Sequence, residues 1–533
     1  MDLSTADLST SPPTLTIPAQ YNAAHDLIER NLVAGRGTKL AYIDDNGQYT
    51  YSQLAERVNR FASSLQDLGL QMEQRVLLCV QDTIDFPVAF LGAIKAGIVP
   101  VPVNTLLTPA DYAYMLYDSR ALALVISEAL LPQFQPILQQ SSFLKHVIVA
   151  DTSVDCDLPR GALTLRELVA NASPLFTTAP TLRDEPCFWL YSSGSTGTPK
   201  GTVHVHSSLI ETAVYYAQAV LGLREDDITF SVAKLFFAYG LGNSLTFPLS
   251  VGATAVLMAE RVTPASVTTR LTKHRPTVFS GVPTLYASLV ASKLLPPPCQ
   301  LALRLCNSAG ESLPEEIARR WHNQTGVEIL DGIGSTEMLH IFISNRQGRI
   351  SPGTLGVPVP GFEARLVAAD GNTVPPGEIG HLIVRGPTSA KFYWNQRERS
   401  RDTFQGHWTH TGDRFLIDER GDFVFAGRTD DMLKVGGIYV SPIEVECMLT
   451  AHPAVYEAAV IGREDSDRLT KPAAYIVLAE GHSASRELED ELKNFVKTRL
   501  AAYKYPRWIE FVADLPKTAT GKIQRFRLRQ LNG

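Results

Sequence analysis

The sequence predicts an α/β protein: a large N-terminal part built on several, mostly parallel sheets, followed by a small α+β part. Three observations carry that expectation. Short β-branched runs alternate with longer helical patterns up to about residue 425. The texture changes at Gly427, where the chain becomes polar and punctuated by glycine. At 533 residues the chain also exceeds the size at which one hydrophobic core keeps growing.

Taken in order, "TYSQLAERVNRFASSLQDLG" (50–69) places apolar residues at helical spacing and ends on Gly69. "RVLLCV" (75–80), "ALVIS" (123–127), "HVIVA" (146–150) and "TAVLMA" (254–259) read as buried strands. "CFWLY" (187–191) is another. "VHVHSSLIETAVYYAQAV" further on turns helical, with Ser208 and Glu211 spaced as a capping box. Past Gly427, "EAAVIGR" and "PAAYIVLA" are strands of the small unit, and residues 504–529 hold seven Lys/Arg against two acidic residues. The boundary is expected near 429–431, giving domains 1–429 and 430–533.

Hydrophobic residues make up 45% of the chain and charged ones 20%, ordinary values for a globular enzyme. The net charge of -6 offers no overall attraction to nucleic acid or an anionic membrane. The most apolar stretch, "FPVAFLGAIKAGIVPVPV", holds a lysine and three prolines and is too broken to span a bilayer. Cys79, Cys156, Cys187, Cys299, Cys306 and Cys447 form no C-x-x-C pair, which suits a reducing cytoplasm and argues against a zinc cluster. The N-terminus, with two aspartates and no basic residue in its first 22 positions, does not read as a targeting peptide.

Residues 191–201, "YSSGSTGTPKG", pack three glycines and five Ser/Thr hydroxyls beside Lys200. Successive backbone N–H groups in such a loop form a concavity that holds an oxyanion, phosphate above all. A Ser/Gly linker has the same composition; the strand before the loop and the helix expected after it favour phosphate. Pro199 and Gly201 stand where a Walker A loop needs Gly and Ser/Thr, so it is not one.

The loop resembles the phosphate loop of the adenylate-forming superfamily, which includes acyl-CoA synthetases, adenylation domains and luciferases. Seven further stretches match in order: "KAGIVPVPVN" (95–104), "SAGESLP" (308–314), "DGIGSTE" (331–337), "GEIGHLIVRGP" (377–387), "HTGD" (410–413), "GRTDDMLKVGGIYVSPIEVE" (427–446) and "LPKTATGKIQR" (515–525). "YSSGSTGTPKGTVHVH" with "DGIGSTEMLH" resembles the benzoate–CoA ligase group within it.

The resemblance implies a two-step reaction. A carboxylate attacks the α-phosphorus of ATP, and a thiol then takes the acyl group from the adenylate. Ser192, Ser193, Gly194, Ser195, Thr196, Gly197, Thr198 and Lys200 would hold the β and γ phosphates. Thr336 would meet the α-phosphate, and Glu337 would hold Mg²⁺. Adenine and ribose would lie against Ala309, Gly310, Glu311, Asp331, Gly332, Ile333, Asp413 and Arg428; Ile333 departs from the aromatic residue many relatives have there. Lys522 would bridge carboxylate and α-phosphate as a point charge. Rotation of the small domain about Asp430 would then withdraw Lys522 and bring Gly436 and Gly437 beside a pantetheine tunnel.

The acid pocket is expected from Phe236, Phe237, Ala238, Tyr239, Gly334, Leu339 and His340. It offers a flat apolar slot and no aspartate for an α-ammonium, which disfavours amino acids and suits benzoate or a small analogue. His340 reads either as a hydrogen-bond partner of the acid or as a satisfied core histidine. Gly334 would let a planar ring lie against backbone. The chain ends at "LRQLNG", so free coenzyme A is the expected acceptor. The resemblance thus implies a cytoplasmic, magnesium-dependent aryl-acid–CoA ligase of aromatic-compound degradation, acting as a monomer or homodimer. The alternatives are a stand-alone adenylation enzyme loading a carrier protein, a small fatty-acid CoA ligase and a non-catalytic nucleotide-binding relative.

Overall fold

Runs of Val, Ile and Leu without polar alternation belong in parallel sheets covered on both faces. Two such sheets frame the N-terminal domain in this computed structural model, which describes residues 1–153, 158–192, 199–311, 313–428, 431–435, 438–465, 469–500, 503–517 and 523–530. One has five strands, in the order Val99–Pro102, Arg75–Cys79, Ala123–Ser127, His146–Ala150 and Leu163–Thr164, all parallel. The other has nine. Its middle six, Ile329–Gly334, Leu305–Ser308, Val278–Gly281, Ile228–Ser231, Thr254–Val256 and Leu40–Ile43, run parallel, and antiparallel pairs close both edges.

Helices between these sheets bury the largest apolar cluster. The expected helix at 50–69 is found at Tyr51–Asp67. Thr50 accepts from the Gln53 amide while the Gln53 side chain returns to Thr50, and Leu54, Val58, Phe61 and Leu65 face inward at helical spacing. It packs on Asp85–Lys95, which is buried over nearly its whole length.

A third, antiparallel sheet contains Gly380–Arg385, Trp408–Ile417 and Phe423–Arg428. Beyond it lies the small C-terminal domain: strands Val455–Glu464, Thr470–Leu478 and Trp508–Phe511, covered by helices Pro442–Thr450 and Arg486–Lys497. Val445, Leu449, Val460, Ile476, Leu492 and Val496 give that domain its own core. Among the described residues no helix is long and apolar enough to cross a membrane.

The segment after the glycine-rich loop departs from the reading above. Lys200–Val205 is a strand, antiparallel to Pro186–Ser192, with Ser192 opposite Lys200; Phe392–Tyr393 pairs on its other side. The loop therefore connects two strands rather than a strand and a helix. β-Branched Thr202, Val203 and Val205 fit the pleated surface, and the ladder outweighs helical tendency there. The helix starts only at His206, and the Ser208–Glu211 capping box does not exist: Ser208 is the third helical residue, fully buried. "TAVLMA" is likewise a strand only over Thr254–Val256.

Glu211 instead buries its carboxyl, and Oε2 has neither solvent nor a hydrogen-bond partner. Burial pushes its pKa up to about 8. The folded protein then keeps a proton that the unfolded chain releases near the ordinary carboxylate value. Glu211 therefore costs stability progressively as pH rises from about 4.5 to 8. Glu211→Gln is expected to stabilise the protein little at pH 5 and by roughly 2–4 kcal/mol at pH 8, taking about 1.4 kcal/mol per pH unit and discounting for relaxation. Thermal melts across that pH range would show a growing gap between variant and wild type; a constant gap would contradict the assignment.

Candidate active site

The loop hairpin meets the "DGIGSTE" motif through one histidine. His204 is fully buried, stacks on Phe188 at 5.3 Å between centroids, and has its pKa lowered to about 4 by burial. It is neutral at pH 7. Its Nε2 lies 2.7 Å from the Thr336 carbonyl, which only accepts, so Nε2 carries the proton. The same turn is held from the other side: Ala390 N donates to the Glu337 carbonyl at 2.7 Å, and Thr388 Oγ1 to the Met338 carbonyl at 2.7 Å.

Thus fixed, Glu337 directs its carboxylate at the hairpin. Oε1 stands 3.1 Å from Lys200 Nζ and accepts from Tyr393 Oη at 2.7 Å. Lys200 Nζ in turn donates to Tyr393 Oη at 2.8 Å. Burial pushes the Glu337 pKa up, but the Lys200 charge and the Tyr393 hydroxyl outweigh it and leave the carboxyl below its ordinary value. Glu337 is therefore an ionised, hard oxygen donor inside the protein. Among the described residues no group of three or more His, Cys, Asp or Glu forms a cage for a metal. A single carboxylate fits a magnesium ion that takes its other ligands from substrate phosphates and water.

Asp331 is the third residue of the strand Ile329–Gly334, where its parallel pairing with Leu305–Ser308 ends. It accepts from Leu313 N at 3.2 Å; its Oδ1 is enclosed without a partner, and burial pushes its pKa up to about 7. Ala309 is buried beside it and Gly310 has φ +101°. Gly332 and Ile333 pair with Ser344 and Ile343 in the edge hairpin. Asp413 and Arg428, expected as separate ribose contacts, are register partners whose side chains bridge at 3.2 Å. On the C-terminal domain, Arg525 clamps Glu446 at 2.7 Å and also feels the charges of Asp431 and Glu311.

The acid-pocket segment starts from an anchored backbone. Leu235 N donates to Asp82 Oδ1 at 3.1 Å, and Lys234 Nζ caps the carbonyls of Met258, Ala259 and Glu260. Burial pushes the Asp82 pKa up to about 6, with Lys234 countering. Phe236 and Phe237 pack together at 4.5 Å, and Ala238 opens a short helix containing Tyr239. Leu339, at φ +65° and buried, turns the chain so that His340 points at this segment.

At two of the expected pocket positions the packing adds detail. His340 is wedged among Tyr216, Tyr239 and Phe247 at 4.5–5.4 Å between centroids, and burial lowers its pKa to about 3. The neutral ring spends its Nε2–H on the Tyr239 carbonyl at 3.3 Å, so it has no second N–H to offer a carboxylate. Of its two readings, the core histidine is the one the packing supports. At Gly334 the space a Cβ would take is filled by the His340 carbonyl, 2.5 Å away. The glycine is therefore needed to close the hairpin.

Ser193, Gly194, Ser195, Thr196, Gly197 and Thr198, with Asp430, Gly436, Gly437 and Lys522, lie outside the described residues. His204, Tyr393 and Asp82 were not singled out from the sequence. "VHVH" and "KFYWN" contain no spacing that marks a site, and their roles come from pairing across the fold.

Comparison with known proteins fits this geometry. Residues 29–394 match the family model described as AMP-binding enzyme, and residues 444–522 match AMP-binding enzyme C-terminal domain. A benzoate–CoA ligase of Thauera aromatica is 59% identical, with 99% of each chain covered. A crystal structure of a benzoate CoA ligase from Burkholderia xenovorans is 53% identical with a TM-score of 0.89, covering 96% of this chain and 100% of that one. An anthranilate CoA ligase in complex with anthranoyl-AMP is 43% identical with a TM-score of 0.91, covering 97% and 98%. The chain belongs to the AMP-binding enzyme family, the adenylate-forming superfamily whose ordered motifs it carries.

Proposed function

We propose that the protein is an AMP-forming benzoate–CoA ligase of the cytoplasm, acting on benzoate or a close small aryl acid. The observation that carries this reading is an ionised, largely enclosed Glu337 facing Lys200 at one end of the phosphate-loop hairpin. Nearby, the aromatic segment 235–243 contains no acidic residue of its own and packs on a neutral His340. Family members similar over the whole chain are named for benzoate and anthranilate, which supports the aryl acid.

In this mechanism residues 192–200 hold the β and γ phosphates, and Lys200 turns its ammonium to them. Glu337 would hold magnesium, which neutralises phosphate charge when bound. Thr336, on its pinned turn, meets the α-phosphate. Asp413 accepts from the ribose hydroxyls with Arg428 steadying it, and the adenine lies against Ala309, Gly310, Glu311 and the 331–333 strand. Phe236, Phe237, Ala238 and Tyr239, with Leu339 and His340 as further wall, flank the aryl ring. One carboxylate oxygen attacks the α-phosphorus and pyrophosphate leaves. Lys522 stabilises the charge on both reacting groups from the small domain. Arg525, anchored to Glu446 and Asp431, mounts that segment. The small domain, from 430 onward, then turns about Asp430 and Gly436–Gly437 admit pantetheine. The thiol sulfur attacks the acyl carbonyl, its proton goes to solvent, and AMP leaves.

Benzoate-dependent exchange of labelled pyrophosphate into ATP, followed by thioester formation with free coenzyme A, tests the function. Exchange without thioester would point to a carrier protein as acceptor, and no exchange with any aryl acid would refute the reading. Lys522→Ala is expected to slow adenylation by about 10²–10³-fold while sparing thioester formation from supplied benzoyl-AMP; equal loss of both steps would remove Lys522 from the first. Gly242→Ala would place a Cβ 2.4 Å from the His340 ring and displace it. The benzoate KM is expected to rise about 10- to 100-fold, as for a misplaced pocket wall, with the ATP KM unchanged. A parallel rise in both would assign Gly242 to the scaffold alone.

A further inference from the structure

Lys200, Tyr393 and Glu337 come from three distant parts of the chain and share one point. The strand Phe392–Tyr393 pairs with Thr202 and Val203, which brings Tyr393 alongside the hairpin that begins at Lys200. Each side of the resulting triangle is 2.7–3.1 Å long, and the ammonium also stands 4.2 Å from the centre of the Tyr393 ring. The Lys200 and Glu337 side chains are only 19% and 16% exposed. Their net charge is zero. Phe404 backs the Tyr393 ring at 5.1 Å, and Tyr393 N is tied to Ser400 Oγ at 3.0 Å. Tyr393 is thus the fixed corner, and Lys200, on a four-carbon stem, is the corner that moves.

An ionised carboxylate in such a place is costly without a partner. Lys200 supplies the partner, 3.1 Å from Oε1. The ammonium also stands on the side of Oε1 that a bound cation would approach, and two positive ions so close together inside a protein repel each other strongly. We propose that Lys200 is a placeholder cation for Glu337, docked by Tyr393, and that a divalent metal enters only as Lys200 leaves, with Tyr393 remaining on the carboxylate as its positioning residue. The proposal rests on the reading of Glu337 as the metal ligand. It makes nucleotide and metal binding mutually supportive: a polyphosphate that draws Lys200 away frees Glu337, and the coupling is reciprocal.

Titration of the nucleotide-free full chain with Mn²⁺, read from the electron paramagnetic resonance of the free ion, tests this without any turnover. Lys200→Met is expected to bind Mn²⁺ at least about tenfold more tightly than wild type, as loss of a competing charge contact implies. Lys200→Arg should stay near wild type. Adding Glu337→Gln to Lys200→Met should abolish the gain, and adding Tyr393→Phe should cut it several-fold because the carboxylate loses its orienting hydroxyl. A Lys200→Met affinity equal to or weaker than wild type, or a gain that survives Glu337→Gln, would overturn the proposal. Should Lys200→Met fail to fold, Lys200→Gln keeps a donor to Tyr393 without the charge and is read the same way. Benzoate-dependent exchange by the wild type separates the two ideas. Exchange without the metal gain refutes the placeholder alone, whereas a gain that depends on Glu337 without exchange keeps it and removes the ligase reading.

Discussion

The site depends on a hydrogen bond between two residues 132 positions apart, from His204 Nε2 to the Thr336 carbonyl. It ties the phosphate-loop hairpin to the end of the nine-stranded sheet. Burial makes the bond unambiguous: a ring with its pKa lowered to about 4 is neutral, and a carbonyl partner fixes which nitrogen holds the proton. With Thr336 held there, Glu337 has one direction in which to point, and Lys200 and Tyr393 are already in place to receive it.

Around that bond the protein accepts several unfavourable burials. Burial raises the pKa values of Asp331, Glu211 and Asp82, with Lys234 only partly countering it at Asp82. Leu339 occupies left-handed backbone without being glycine. Strain and perturbed ionisation of this kind gather where geometry is fixed for chemistry. Glu211 is the exception, because it lies on the helix behind the hairpin and touches none of the candidate residues. Two surface clefts, one over Arg304 and His322 and one over Arg486 and Lys493, hold none of the candidate residues either.

Much of the scaffold was legible in the residues. "ALVIS" and "HVIVA" became strands over the expected spans, since a fully apolar β-branched run has few other uses. The helix at 51–67 followed from its apolar spacing and the Gly69 stop, while its Thr50 cap came from the structure. The hairpin after the loop was missed because "TVHVHSSLIE" contains both a strand pattern and a helix start, and only pairing with Pro186–Ser192 and Phe392–Tyr393 decides between them. His340 was legible as a pocket position with two readings, and the choice of a neutral, packed ring takes Tyr216, Phe247 and Gly242 around it.

By itself, then, the sequence determined which segments are buried, where the glycine-rich loop sits, and the ordered motifs that mark the family. Those are properties of local pattern, and the chain states them wherever it folds. Tertiary structure alone decided that Lys200, Tyr393 and Glu337 meet, that His204 and His340 are uncharged, and that Asp413 and Arg428 answer each other. Ionisation and hydrogen-bond pairing depend on what surrounds a group in space, and residues more than a hundred positions apart become neighbours only when the sheets assemble.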